Sequence, residues 1–444
     1  MSKKFSPYYI LIFHVLIAFA VFVLPFLSKL YSIAIPAVGL YFVIRNKNRN
    51  NEVIFVAAYL VGAEVFLRMT GGNFNNEYVK ILITFFMFLG MIYSNFSKKG
   101  LVYLLLMLLL IPGILVTFEM ASLNTDIKKA LMFNLSGPVC LSFCSMYMYA
   151  RRISFSTLQN IVLLMGLPIV TITVYLFLYN PSVRDVVTGT QSNFETSGGF
   201  GPNQVSTILG LGMFIFFSQF VLFSKTKKEI ILNGFLLIFV SYRGIVTFSR
   251  GGVISGLVMI VLLLGLMYYF SNRIGKNKIG LVVVLMGGLA LGVWTYTSLQ
   301  TNGLITKRYA NQDARGREKK DRLGGREAII DAELKLFVDN PILGVGVGVG
   351  KELRKEDLGE VASHNEISRM LSEHGLFGII GLFLLLLVPF ISYINNLQHL
   401  YFLSFYVFWL LTINHAAMRT AAPAFVYALT LLSVQVKFTE KTET

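Results

Sequence analysis

Apolar residues in this chain come in long unbroken blocks, not in amphipathic stripes, and short polar clusters separate them. Each block runs for about 17–25 residues, the length a helix needs to cross the hydrocarbon of a bilayer. Backbone amides in lipid must bond to one another, so blocks of this length read as helices. The period-2 alternation of a membrane barrel is absent. The pattern predicts spans near residues 8–26, 29–44, 52–68, 78–95, 101–118, 130–150, 157–179, 203–223, 229–248, 251–270, 279–297, 375–394, 399–414 and 421–437. The expected fold is all-α: a polytopic helical transmembrane bundle of about 12–14 spans with one large extracytoplasmic loop containing short helices. Residues 1–297 form its first spans and short loops, 298–374 the loop, and 375–444 the C-terminal spans and a cytoplasmic tail.

Composition agrees with this pattern. Of 444 residues, 55% are hydrophobic and only 14% are charged, against about 25% charged in a soluble domain. Lysine and arginine set the orientation, because short cytoplasmic loops retain positive charge. Lys3 and Lys4, Arg45 to Arg49, Lys98 and Lys99, and Arg151 and Arg152 fall in alternate connections. Lys225 to Lys228, Arg273 to Lys278, and Lys437 and Lys441 continue the series, with Lys128 and Lys129 as the exception. Both termini are therefore expected in the cytoplasm, with 298–374 outside. Ala18-Phe19-Ala20 imitates a signal-peptidase site but lies within the first apolar block, which favours a retained anchor. Cys140 and Cys144 lie one turn apart in a predicted span, where buried packing is the expected role.

The net charge of +16 suggests nucleic acid, yet much of it is the inside-positive signal. The rest concentrates at Lys307, Arg308, Arg315, Arg317, Lys319, Lys320, Arg322 and Arg326. A phosphate-bearing lipid or anionic glycan suits that run better, and a solvated charged face suits most of it equally. Within the outer loop a helix is predicted from Arg326 to about Val338, stopped at Asp339-Asn340-Pro341. Gly344 to Gly350 alternates glycine with valine, lacks the spacing of a nucleotide fingerprint, and reads as a flexible close-approach loop. Ser363-His364-Asn365-Glu366 has capping-box spacing, with Ser363 as N-cap and His364 on the first helical turn. A helix N-terminus favours neutral imidazole, which accepts protons. A second outer loop, about 180–202, ends in Gly201-Pro202 before Asn203 and Gln204, which either cap a helix or line a substrate path.

Several elements in order are similar to the O-antigen ligase and polymerase superfamily. They are Gly201-Pro202-Asn203, Ser249-Arg250-Gly251-Gly252, Gly325-Arg326, Asn340-Pro341-Ile342-Leu343-Gly344-Val345-Gly346, Ser363-His364-Asn365 and Glu373-His374-Gly375-Leu376-Phe377-Gly378. The family's tryptophan after Gly-Arg is replaced here by Ile329 and Ile330. The resemblance implies a metal-independent, cofactor-free glycosyltransferase. Its donor would be a glycan on undecaprenyl pyrophosphate, and its acceptor a glycolipid or another lipid-linked glycan. The setting would be the bacterial cytoplasmic (inner) membrane.

Arg250, Arg326 and His364 carry over as catalytic candidates, with Asn203, Gln204, Asn365 and Arg419 as substrate-binding candidates. Arginines would stabilise the departing pyrophosphate, and His364 would take the acceptor proton in an inverting displacement. Snorkelling of Arg250, pairing of Arg326 with Glu327 or Asp331, and a capping role for His364 are the plainer alternatives. Glu366 and Glu373 are alternative bases, and a buried Glu64–Arg243 pair is conceivable. A polymerase shares donor and leaving group with a ligase. A lipid-linked-sugar flippase would instead require repeated halves and a midplane site.

Overall fold

The computed structural model describes residues 7–122, 125–319, 325–359 and 361–436. Lys3, Lys4, Lys320, Arg322, Gly324, Lys437 and Lys441 lie outside them. The first half comprises α1 (Pro7–Val23), α2 (Leu27–Asn46), α3 (Glu52–Met69), α4 (Tyr78–Tyr93), α5 (Val102–Met120), α6 (Ile127–Met148), α7 (Phe155–Tyr179) and the short α8 (Val183–Val186). Then come α9 (Pro202–Ser218), α10 (Lys227–Ile245), α11 (Arg250–Phe270), α12 (Arg273–Gln300), α13 (Leu304–Tyr309), α14 (Arg326–Asp339), α15 (Gly350–Leu353) and α16 (Lys355–Leu358). The chain closes with α17 (Glu366–Ile394), α18 (Phe402–His415) and α19 (Ala421–Leu429). Among the described residues, eight helical segments are long and apolar enough to cross a membrane, and shorter apolar helices accompany them. The protein is an all-α, multi-pass bundle.

Most expected spans coincide with helices to within a few residues; α12 and α17 start earlier, at Arg273 and Glu366 rather than 279 and 375, and the last span differs most. Instead of a helix over 421–437, α19 stops after nine residues, about 14 Å of rise. The chain continues as β2 (Ser433–Gln435), which pairs in parallel with β1 (Arg152–Ser154). Such non-helical backbone is tolerated inside a membrane protein only where protein covers it. Here every residue of α19 is buried, and the neighbouring strand takes up the freed amides.

Glycines set the tightest packing. At Gly210 an added Cβ would lie 1.9 Å from the carbonyl oxygen of Gly252, and at Gly256 it would lie 2.4 Å from that of Gly210. Helices α9 and α11 thus meet backbone to backbone, as small residues permit in membranes. The same closeness brings Ser206 Oγ 2.7 Å from the carbonyl of Ser249, just before α11.

The long connections gather at one end of the bundle. The expected helix from Arg326 is present as α14, with Gly325 before it at φ +80°. Gly375 is a break within α17, at φ 56° and ψ −132°, so a short loop helix runs into the long apolar one. The glycine–valine ribbon is not flexible. Val345, Val347 and Val349 are buried, and the amides of Val345, Val347 and Gly348 donate to Ser372 O, Thr117 Oγ1 and Glu373 Oε1. Gly344 and Gly346 adopt positive φ where an added Cβ would strike the backbones of Glu373 and Thr117. Close approach, rather than mobility, is the reason for glycine there.

Gly252→Ala should therefore destabilise the detergent-solubilised protein by the cost of overpacking, about 1–3 kcal/mol, and so lower its thermal midpoint. Gly287→Ala, where an added Cβ meets nothing within 4 Å, should leave it unchanged.

Candidate functional site

The turn between α10 and α11 places Phe248 at φ 58°, and its carbonyl accepts 3.0 Å from Arg308 Nε on α13. Arg250, two residues on, opens α11 and donates Nη1 to the Arg308 carbonyl at 3.5 Å. Asn203 in the first turn of α9 accepts from Ser249 Oγ at 2.8 Å. Pro202 is the first helical residue and Gly201 the cap, so Asn203 does not cap α9 but ties it to the Arg250 turn. Three elements distant in sequence are thereby fixed around one arginine.

The segment with His364 approaches from the other side. Its helix begins two residues later than the spacing suggests: Asn365, not Ser363, is the N-cap of α17, its Oδ1 accepting from the amides of Ile367 and Ser368. Ser363 Oγ donates instead to Glu333 Oε2 at 3.0 Å, and Glu366 pairs with Arg369. His364 thus precedes the helix and does not occupy its first turn. Its Nδ1 is buried without a partner. Burial first, then the charges of Arg419 and Arg326, push its pKa down to about 3. The neutral form expected from a helix dipole is present, but from desolvation and neighbouring guanidinium groups.

Arg326, His364 and Asn365 line a single cavity of about 330 Å3. Gly251, Ile254 and Ser255 of α11, Ile329 and Ile330 of α14, Leu411, Asn414 and His415 of α18, and Ser363 complete it. One wall is therefore apolar and continues down α11, while the other carries the polar groups. Arg250 sits at the edge beside Gly251. The charges of Arg250 and Arg326 act on Arg308, and that of Arg250 on Arg326, each after burial in lowering the guanidinium pKa. No ion pair joins Arg326 to Glu327 or Asp331 among the described residues. Such a convergence of cations costs free energy unless an anion offsets it.

The remaining candidates divide. Arg419 grips the wall from behind, donating to Ser363 O at 2.7 Å and Ala362 O at 3.4 Å, and burial lowers its pKa to about 10. Gln204 Oε1 is buried without a partner, and the residue does not line the cavity. Glu366 and Glu373 are locked in ion pairs with Arg369, which removes them as ready bases. Glu64 pairs with Arg68 at 2.7 Å, not with Arg243, which serves the carbonyls of Leu176 and Asn180. Asn414 and His415 escaped the sequence reading, and Arg308 entered it only as one member of a basic run. His415 bonds through Nδ1 to Leu411 O at 2.7 Å and through Nε2 to Thr207 Oγ1 at 3.2 Å, so both ring nitrogens are engaged. Only Arg308 had a signal, and it was lost within a basic run whose Arg315 and Arg317 are exposed.

Residues 235–383 match the model of a family described as O-antigen ligase. The matched stretch includes Arg250, Arg308, Arg326, the glycine–valine ribbon, His364 and Gly375, and leaves out Asn203, Gln204, His415 and Arg419. No curated protein matches the chain.

Because its folded pKa lies far below 6.5, His364 should remain reactive toward diethyl pyrocarbonate between pH 7 and 5. An ordinary histidine loses more than about tenfold over that range. Site-resolved mass spectrometry of the labelled protein reads this. Arg419→Gln removes a positive charge, so acid protection at His364 should move toward neutral pH. By the same sign, the unfolded chain binds this proton more readily, so the shift costs stability increasingly as pH falls from 6.5 toward 3.

Proposed function

We propose, from the place in the O-antigen ligase and polymerase superfamily that this match supports, that the chain is an inverting glycosyltransferase of surface-polysaccharide synthesis. It moves a glycan from undecaprenyl pyrophosphate to a hydroxyl acceptor at the outer face of the cytoplasmic membrane. The observation that carries this reading is the cavity in which a neutral histidine shares the lining with Arg326 and an apolar wall, with Arg250 next to the lining residue Gly251. The donor's pyrophosphate lies against Arg326 and Arg250, and its isoprenoid tail follows Ile254 down α11.

The acceptor hydroxyl attacks the anomeric carbon as the bond from that carbon to the phosphate oxygen breaks. The electron pair leaves with the pyrophosphate, where Arg250, Arg326 and Arg308 offset the growing charge. The hydroxyl proton passes to a ring nitrogen of His364. Arginine suits the leaving group because its planar fork donates two parallel hydrogen bonds to phosphate and stays charged even when half-buried. Histidine suits the acceptor because it stands unprotonated in the empty site, and the negative charge of the bound pyrophosphate raises its basicity for the incoming proton. Asn365 hydrogen-bonds Asn414 at 3.2 Å across the cavity mouth and offers an amide to the sugar. Arg419 acts indirectly, as the clamp on the extended segment that carries His364. Asn203 likewise positions Arg250 through Ser249.

On this reading the positive-inside pattern puts both termini in the cytoplasm and residues 298–374 outside, as an extracytoplasmic loop between two sets of spans. A flippase would place its polar site near the bilayer midplane, whereas these groups sit at one end of the bundle.

His364→Ala in a host making surface polysaccharide should reduce transfer by about 10²–10⁴ while the protein still accumulates in the membrane. Glycolipids resolved on a gel separate the outcomes. Long lipid-linked chains that never reach their acceptor identify a ligase, and single repeats identify a polymerase. Wild-type patterns would remove His364 from the reaction.

A further inference from the structure

Helix α14 carries Arg326 into the candidate site, yet its own apolar residues do little to dock it. A surface helix ordinarily buries an apolar stripe. In α14 the buried residues are Ile329 and Glu333, while Leu334 and Val338 are 40% and 70% exposed. Burying a carboxylate costs free energy unless charge and hydrogen bonds offset it. Glu333 is only 1% exposed, and both of its oxygens are served. Arg354 Nη1 lies 3.0 Å from Oε1. Oε2 accepts from Ser363 Oγ at 3.0 Å and from Ser368 Oγ at 2.6 Å. None of these partners belongs to α14: Arg354 follows α15, Ser363 immediately precedes His364, and Ser368 lies in the first turn of α17.

These partners relate the two groups assigned to opposite ends of the reaction. Arg326 and Glu333 are seven residues apart on one helix, so they share a face and lie about 10 Å apart along its axis. Ile329 and Ile330, between them, line the cavity that Arg326 and His364 share. On the other side of the carboxylate, Ser363 Oγ also accepts from Asn365 N at 3.2 Å, which holds the turn around His364. Arg354 turns its other terminal nitrogen, Nη2, to the carbonyl of Val361 at 2.9 Å. The segment before His364 is therefore tied to Glu333 twice, once directly and once through a guanidinium group. Hydrogen bonds to an ionised acceptor are short and strong, so α14 cannot slide against that segment without straining several of them together.

We propose that Glu333 is a positioning residue: through Ser363 and Arg354 it sets the separation between the Arg326 guanidinium group and the His364 ring. It touches no reacting atom. Its chemical consequence rests on the transferase reading above, because that reading puts the leaving group on Arg326 and the acceptor proton on His364. A displacement of about 1 Å between such groups costs on the order of 10²-fold in rate. The lipid and phosphate contacts that bind the donor survive the same displacement. The loss therefore falls on kcat and leaves KM for the donor in place.

The test compares Glu333→Gln, which keeps the shape but removes the charge facing Arg354, with Ser363→Ala, which removes one hydroxyl, in the full-length protein in lipid nanodiscs. Amide hydrogen exchange read by mass spectrometry should rise about tenfold over residues 361–368 in both variants, with α9 and α11 unchanged. Turnover should fall about tenfold or more, with KM for an undecaprenyl-pyrophosphate-linked glycan within about twofold of wild type. Independent losses multiply, whereas losses through one group do not. Glu333→Gln combined with His364→Ala should thus be no slower than His364→Ala alone. Multiplied losses, or a fall in turnover that only tracks the amount of folded protein, would leave Glu333 as a structural residue and overturn the proposal. Unchanged exchange over 361–368 would overturn it as well. If Glu333→Gln does not accumulate in the membrane, Ser363→Ala alone and with His364→Ala carries the same expectations. A wild-type chain without transfer activity would defeat the transferase reading, while the exchange result still decides whether the tie exists.

Discussion

Buried cations hold this structure together by gripping backbone carbonyls that no amide serves. At the end of the bundle where helices stop, kink or turn, carbonyls are left without intrahelical partners. Water cannot supply all of them near the hydrocarbon. Arg68 donates to the carbonyls of Asn76 and Arg419, Arg369 to Asn134, and Lys80 to Met418. Arg308 holds Phe248, while Arg354 and Arg419 hold the segment before His364. Each cation that also has a carboxylate partner leaves little unpaired charge. The loops are thereby fixed to the helices without a hydrophobic core of their own.

Glycine supplies the complementary constraint. The α9–α11 contact exists because neither helix carries a Cβ where the two backbones cross, and it places Ser249 and Arg250 against the start of α9. Gly344, Gly346 and Gly375 do the same for the ribbon and the α17 kink, whose backbones approach closely enough that Leu376 N donates to Pro341 O at 2.8 Å. Stitching by cations and close approach by glycine act together. The first satisfies polar groups that irregular backbone exposes, and the second brings that backbone near enough to be gripped.

The candidate site inherits its electrostatics from this arrangement. Arg326 and His364 line one cavity, with Arg250 at its edge and Arg308 bonded to the turn that carries Arg250, and His364 is kept neutral by burial and by the charges of Arg419 and Arg326. Repulsion among the guanidinium groups is tolerable because surrounding loops are anchored elsewhere, by Glu333, Glu366 and Glu373 with their own arginines. Burial makes the field of these charges stronger than they would produce in bulk solvent.

Much of this was legible in the residues alone. Unbroken apolar blocks determined the helices, because hydrocarbon permits few other backbone states, and Gly325, Pro341 and Gly375 marked loop elements through their local dihedral limits. Arg250, Arg326 and His364 stood out by their motifs. The tertiary structure alone decided what long-range contacts control. Capping passed from Ser363 to Asn365 because Glu333 claimed the serine hydroxyl. The final span shortened to α19 because a neighbouring strand was available for pairing. Glu64 found Arg68 rather than Arg243, and His415 joined the cavity from a helix with no motif. Sequence fixes what each segment can be in its solvent; which polar groups meet depends on packing between segments far apart in the chain, and no local pattern encodes that.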